Sequence, residues 1–430
     1  MPKQKLMVIC LDALCDIDIT AMREMPNFGP MLRRGALIEH IAPVYPSFTY
    51  PCHVSIMTGL YPNRHGIPHN EIVKPGVDQV PWYCFRSMVK AKLLTDYAKG
   101  AGFSTCAVNW PLTGGADIDF NMPMIVPLSY PGDDWGKFYD GYSTQSLLDR
   151  YFWKYGWLKP NFDTSLDLFT MMVSLDIIRD ERQPDIMFIK LCDLDTVRHD
   201  LGVDTDAAKA QLKMHDSQVG AILESVRRYG DYENTNFVVL GDHGQTDVER
   251  VFNLNILLRE RGFLRADAAG NLIDYDAYCH STGMSAWIAL KDPDDTAMRE
   301  KVYNFLMEIK ADPKYPVDFV LTKREADAQY HLSGPFDFII ESAAPVSFGN
   351  ARVGELFVKS APGDYKTAMA SHGGLPERKC QTAFFACGPS IRAGAIVERA
   401  NLVDEGPTMA RMLGFDMPGV DGRVITEILI

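Results

Sequence analysis

Three aspartates and three histidines sit at the exits of apolar runs or in glycine-rich turns: Asp12, Asp195, His199, Asp242, His243 and His372. One such residue alone is ordinary packing. Six at the ends of strand-like segments are hard to explain that way, because a carboxylate left bare in a half-buried crevice is costly. Mixed histidine and aspartate donors suit transition metals better than magnesium or calcium, and the number present suits two adjacent divalent ions of the zinc class. A hydroxyl, Thr49, lies in a Pro-Ser-Phe-Thr-Tyr-Pro loop that opens a helix. Such hydroxyls are commonly helix caps, yet the N–H groups at a helix start also make an anion site.

The elements that must hold these groups are legible as apolar periods. Lys5 to Leu11 and Phe237 to Leu240 are continuous apolar runs of strand length, each stopping at or just before an acid. They read as buried strands of a parallel sheet, whose ligands bind at the carboxyl ends of the strands. Residues 36–42, 105–109, 185–191 and 382–387 read as further strands, and 205–228 as a helix capped by Asp204 or Thr205 and stopped by Gly230. The helix after Thr49 is expected over 54–58, stopped by Gly59. From about 264 to 346 helices and strands alternate without a dense set of polar site residues, which reads as a small α/β insertion or cap. The core is therefore expected over 1–263 and 347–430, with the insertion over 264–346.

Composition narrows the class. The chain has 430 residues and a formal net charge of −13, so no general nucleic-acid surface is expected. No apolar run is long enough to span a membrane. The N-terminus enters the first strand without a signal-peptide pattern, and nine cysteines without CxxC pairing read as core thiols. A cytoplasmic location is expected.

Asp12 after the first strand, Thr49-Tyr50-Pro51, the Thr58-Gly59-Leu60-Tyr61-Pro62 to His65-Gly66-Ile67 run, Asp195 to His199, Asp242-His243-Gly244 and His372-Gly373 together resemble the nucleotide pyrophosphatase/phosphodiesterase branch of the alkaline phosphatase superfamily. The resemblance implies an alkaline-phosphatase-like three-layer α/β sandwich with a central, mostly parallel sheet and a smaller cap. It implies two metal ions, zinc first, with manganese or another transition metal as the alternative. Asp195, His199 and His372 would hold one, and Asp12, Asp242 and His243 the other, with Thr49 bridging toward the second as nucleophile. It also implies a phosphoryl-oxygen donor in Asn70, partnered by the Tyr50 backbone N–H, and a phospho-threonine intermediate. The expected substrate is a small phosphorylated molecule, a phosphodiester or pyrophosphate.

Trp110, Tyr50 and Trp82 are candidate stacking faces for a base or aromatic leaving group. The sequence departs from the family at Cys52, where asparagine is frequent, and at Arg198, which stands where a glycine usually precedes the metal histidine. Arg198 could therefore place charge at the rim. A sulfatase is excluded because Cys52-His53-Val54-Ser55-Ile56 lacks the Cys-x-Pro-x-Arg motif. A phosphomonoesterase would want more cations than Arg64 and Arg198, the nearest to the motifs. Phosphonoacetate hydrolase is the rival on the same fold, with Lys74 as its only evident carboxylate partner. An inactive metal-stabilised binding protein is the alternative from another class.

Overall fold

The computed structural model describes residues 3–77, 79–126, 139–158, 166–343, 345–376 and 381–430. An eight-stranded sheet runs in the order Ile396–Asn401, Ala36–Ala42, Thr382–Cys387, Thr235–Leu240, Lys5–Leu11, Ile186–Leu191, Thr105–Pro111, Phe120–Met124. All pairings are parallel except the two made by Thr382–Cys387, which runs against both its neighbours. The three central strands are buried along nearly their whole length, as their unbroken apolar sequences require.

Helices cover the sheet in two groups. Leu166–Asp180 packs on Ile186–Leu191 and on the long helix Asp206–Tyr229, whose start is capped by Thr205 accepting from the Ala208 N–H at 3.2 Å. Thr49–Thr58 packs with Leu94–Gly100 and Glu405–Met412. This is the expected α/β sandwich. The helix carrying Thr49 starts five residues earlier than the sequence suggested. Pro51 lies in its first turn, where a missing N–H costs nothing, so the proline opens the helix rather than delaying it.

Between Ala277 and Ser342 a separate antiparallel sheet forms in the order Ala277–Thr282, Ser285–Leu290, Phe338–Ser342, Val317–Thr322, covered by Thr296–Ala311. Its apolar cluster reaches beyond 264–346, taking in Phe252, Leu254 and Phe348. This sheet is tied to the segments beside the candidate site. The Met284 N–H donates to the His372 carbonyl at 3.1 Å, Ser285 Oγ to the Gly373 carbonyl at 2.6 Å, and Tyr45 Oη to Glu341 at 2.9 Å.

Candidate active site

Register explains why the three acids meet. Cys10 lies opposite both Leu240 and Lys190, and Leu11 opposite Leu191, so three adjacent parallel strands end at one edge. Asp12 follows the first of them and Asp242 the second. The third turns at Cys192 into the helix Asp193–Leu201. Its start is held by Asp167, which accepts from the Cys192 N–H at 2.5 Å and the Asp193 N–H at 3.1 Å. Asp195 and His199, four apart, share one face of that helix. His372 arrives on a turn after Ala370–Ser371, which pairs with Thr246–Asp247 just beyond His243.

The three imidazoles are set the same way. Nδ1 of His199, His243 and His372 lies 2.7, 3.2 and 2.9 Å from the carbonyls of Ala370, Gly244 and Ser47. A carbonyl only accepts, so each Nδ1 carries a proton, and in the neutral ring each Nε2 keeps a lone pair for the cluster. Two donor groups result: Asp195, His199 and His372, and Asp12, Asp195 and His243, the ligand atoms of each lying within 4.8 Å of one another. Asp242 also reaches His243 Nε2, at 3.5 Å, as does Asp12. Asp195, His199 and His372, grouped together from the sequence, thus lie together in the structure. In the second group, Asp195 rather than Asp242 joins Asp12 and His243, so one carboxylate reaches both groups, while Asp242 stands against His243.

These residues fit a pair of cations. Asp12 Oδ1, Asp242 Oδ2 and His199 Nε2 are buried and accept no hydrogen bond, an expensive arrangement unless something positive meets them. Burial pushes the Asp12 carboxyl above its ordinary range and the Asp242 charge adds to that, with Lys190 opposing. Burial works against ionised Asp242 too, but His243, His53 and Lys190 outweigh it and hold that carboxyl low. Asp195 is likewise held low against burial, chiefly by His199.

Thr49 opens its helix with Oγ1 3.1 Å from His243 Nε2. Asn70 accepts from the Tyr50 N–H at 2.8 Å. That commits the amide oxygen and leaves its NH2 as the donor, at the wall of a cavity of about 300 Å³ that also takes in Thr49, Asp12, Asp195, His199 and His372. Trp82, Met124, Val126, Cys192 and Tyr365 complete much of the wall.

Of the three expected stacking faces, only Trp82 lines the cavity. Trp110 is fully buried, its ring edge-on to His53 at 4.8 Å and to Phe188 at 4.9 Å, because the strand continues to Pro111 and carries it into the core. Tyr50 is also fully buried, packed edge-on against Trp82 at 5.4 Å. Arg198 is not at the rim: it is 2% exposed and bonds the turn after Asp12. Arg64 pairs with Asp421 at the surface, and Lys74 is exposed and does not line the cavity.

Sequence reasoning missed Lys190, a fully buried ammonium against Asp12, and Tyr365, opposite Trp82 with ring centroids 5.7 Å apart. It also missed Gln245, whose Nε2 donates to Asp195. A lone lysine in an otherwise apolar strand was the available signal for the first. Tyr365 sits on an irregular loop with no such mark.

The model of the type I phosphodiesterase / nucleotide pyrophosphatase family matches residues 6–383. Human ectonucleotide pyrophosphatase/phosphodiesterase family member 7 is 24% identical over 94% of this chain and 78% of its own length. The human bis(5'-adenosyl)-triphosphatase is 24% identical over 58% of this chain and 50% of its own length. Among solved structures, murine ectonucleotide pyrophosphatase/phosphodiesterase 5 superposes with a TM-score of 0.71 at 19% identity, covering 99% of this chain and 100% of that one. An inactive threonine-to-alanine form of the murine protein, in complex with AMP, gives 0.71 at 18% identity over 100% of each chain. With the fold shared along its length and the family model spanning its core, this chain belongs to the type I phosphodiesterase / nucleotide pyrophosphatase family of phosphoric ester hydrolases.

Proposed function

We propose that this protein hydrolyses phosphodiester or pyrophosphate bonds of small, nucleotide-type substrates, with Thr49 as nucleophile. The observation that carries the reading is Thr49 Oγ1 at a helix N-terminus, 3.1 Å from His243 Nε2, beside buried carboxylate and imidazole atoms that make no hydrogen bond. Asp195, His199 and His372 would hold one divalent ion, and Asp12, Asp242, His243 and Thr49 the other, with zinc the first candidate. Bound there, the ions would lower the cost of ionising the Thr49 hydroxyl and neutralise charge on the phosphoryl oxygens.

The chain's own part is positioning. The helix start aims Oγ1 into the cavity, and the Asn70 NH2 donates to a non-bridging oxygen as charge gathers there. Attack by Oγ1 on phosphorus expels the leaving group and forms a phospho-threonine, whose P–O bond a water then hydrolyses. Trp82 and Tyr365 supply aromatic surface for the organic part of the substrate. The AMP complex of the murine relative supports a nucleotide-type ligand. We extend the proposal to a cytoplasmic location, supported by the eight cysteines among the described residues, all of them buried in the manner of small core side chains; fractionation of the producing cells tests it.

Rates of the zinc-loaded protein on bis-p-nitrophenyl phosphate, p-nitrophenyl phosphate and phosphonoacetate test the substrate class. The diester is expected to be fastest. A faster monoester or phosphonoacetate would move the chain to the alternatives on the same fold. Turnover of none of the three, with zinc bound, would favour the inactive binding protein.

A further inference from the structure

Lys190 is the one charged residue in the strand Ile186–Leu191, and it is fully buried. Its Nζ makes a short contact with Asp12 Oδ2, lies 3.2 Å from Cys192 Sγ and 3.8 Å from Met124 Sδ, and feels the charge of Asp242 behind Asp12. The two oxygens of Asp12 are thereby divided. Oδ2 is taken by the ammonium, while Oδ1 accepts nothing and lies 3.5 Å from His243 Nε2 in one of the two donor groups. Backbone geometry fixes the division: Leu11 and Leu191 are in register, so Lys190 comes from one residue below and reaches past the strand end to Asp12. Asn109 Nδ2 bonds both the Lys190 carbonyl at 3.1 Å and Cys192 Sγ at 3.4 Å, closing the pocket around it.

Three carboxylates crowd this edge, Asp12, Asp195 and Asp242, and a buried ammonium without a partner would be as costly as a buried carboxylate. We propose that Lys190 is a positioning residue that holds Asp12 ready for a cation and acts as the standing counter-charge of the metal-free site. The inference rests on the two-metal reading above. Its consequence is a particular coupling. A bound cation and Lys190 serve the same carboxylate, so the stability Lys190 provides is large without metal and small with it. A lysine that merely filled space would matter equally in both forms.

The test is thermal unfolding of the full chain, zinc-loaded and chelator-stripped, as wild type, Lys190→Met, Asp12→Asn and the double variant. Metal-free Lys190→Met is expected to unfold roughly 5–10 °C below wild type, and the zinc-loaded form within about 2 °C of wild type. The metal-free double variant is expected to recover most of the loss, because a neutral amide beside methionine leaves no bare charge. Equal losses in both forms, or a double variant as low as the two single losses combined, would overturn the inference. If Lys190→Met does not fold in either form, Lys190→Gln, which keeps a donor without the charge, is read by the same criteria. A wild type whose unfolding temperature ignores zinc sinks the metal reading itself, and the metal-free double-variant comparison still decides whether Lys190 and Asp12 are coupled.

Discussion

Replacing Arg198 with methionine should loosen the turn that carries Asp12 and cost both stability and rate. The guanidinium is 2% exposed; Nη1 donates to the Ala13 carbonyl, Nη2 to Asp18 Oδ1 at 2.7 Å, and Nε to the Val203 carbonyl at 3.3 Å. It thus ties the helix of Asp195 and His199 to the residue after Asp12. Ala13 has φ +59°, a left-handed conformation that costs a non-glycine residue about 1–2 kcal/mol and needs support. Methionine keeps the bulk and removes all three donors. Burial of acceptors robbed of a charged donor costs about 1–3 kcal/mol each, partly relieved at Asp18, whose other oxygen keeps the Cys15 N–H at 2.8 Å. The expected loss is about 3–5 kcal/mol, the cost of breaking a buried ion pair. Relaxation of Ala13 would also misplace Asp12, and a shift on the order of 1 Å is worth about 100-fold in rate. Arg198→Gly should be worse still, losing about 1 kcal/mol more inside the helix. Urea unfolding and turnover of bis-p-nitrophenyl phosphate measure both effects. An Arg198→Met protein within about 1 kcal/mol of wild type and within roughly twofold in kcat would refute the clamp.

Asn70→Ala should lower kcat by roughly 100-fold with KM little changed, since its NH2 acts on charge that develops during reaction; steady-state kinetics on the diester check this. Glu71→Gln should destabilise the fold at neutral pH. Burial alone would raise the Glu71 carboxyl, but nearby His280, 3.8 Å away, and the Lys366 and His69 charges hold it below its ordinary range. A group so depressed stabilises the fold above its unfolded value and loses that contribution as pH falls through the folded value. The gap between wild type and variant should therefore be full above about pH 5 and close only in acid below about pH 4; unfolding temperatures across that range decide it. Gly241→Ala should displace Asp242, because a Cβ there would overlap Thr382 Oγ1 and lie 2.8 Å from the Leu14 carbonyl. Loss of bound zinc together with a lower unfolding temperature is the expected result.

Much of the site could be read from the chain because it hangs on its most regular parts. Lys5–Leu11, Ile186–Leu191 and Thr235–Leu240 are apolar without alternation, and each exits into acid, so their neighbourhood at one edge followed from the logic of a parallel sheet. The edge strands were harder. Phe120–Met124 carries Pro123 and Ile396–Asn401 is half charged or polar, both tolerated only because each lies at a rim of the sheet. Phe338–Ser342 is five residues long and its buried Glu341 hides its period; the carboxylate is there to receive the Tyr45 hydroxyl and the Leu375 N–H. Trp110 misled because a strand end near the site looks like a site wall. Which face a side chain takes there depends on where the strand stops, and this one runs on to Pro111, two residues beyond the expected end. Lys190 was overlooked for the opposite reason: charge inside an apolar strand looks like a flaw until the partner across the register is known.

Turnover of bis-p-nitrophenyl phosphate by zinc-loaded Thr49→Ala, beside wild type with bound zinc and unfolding temperature measured on both, tests the central claim most directly. A folded, zinc-binding variant slower by roughly 1,000-fold or more is the predicted result. A variant that binds zinc and keeps the full rate would contradict Thr49 as nucleophile and the mechanism built on it.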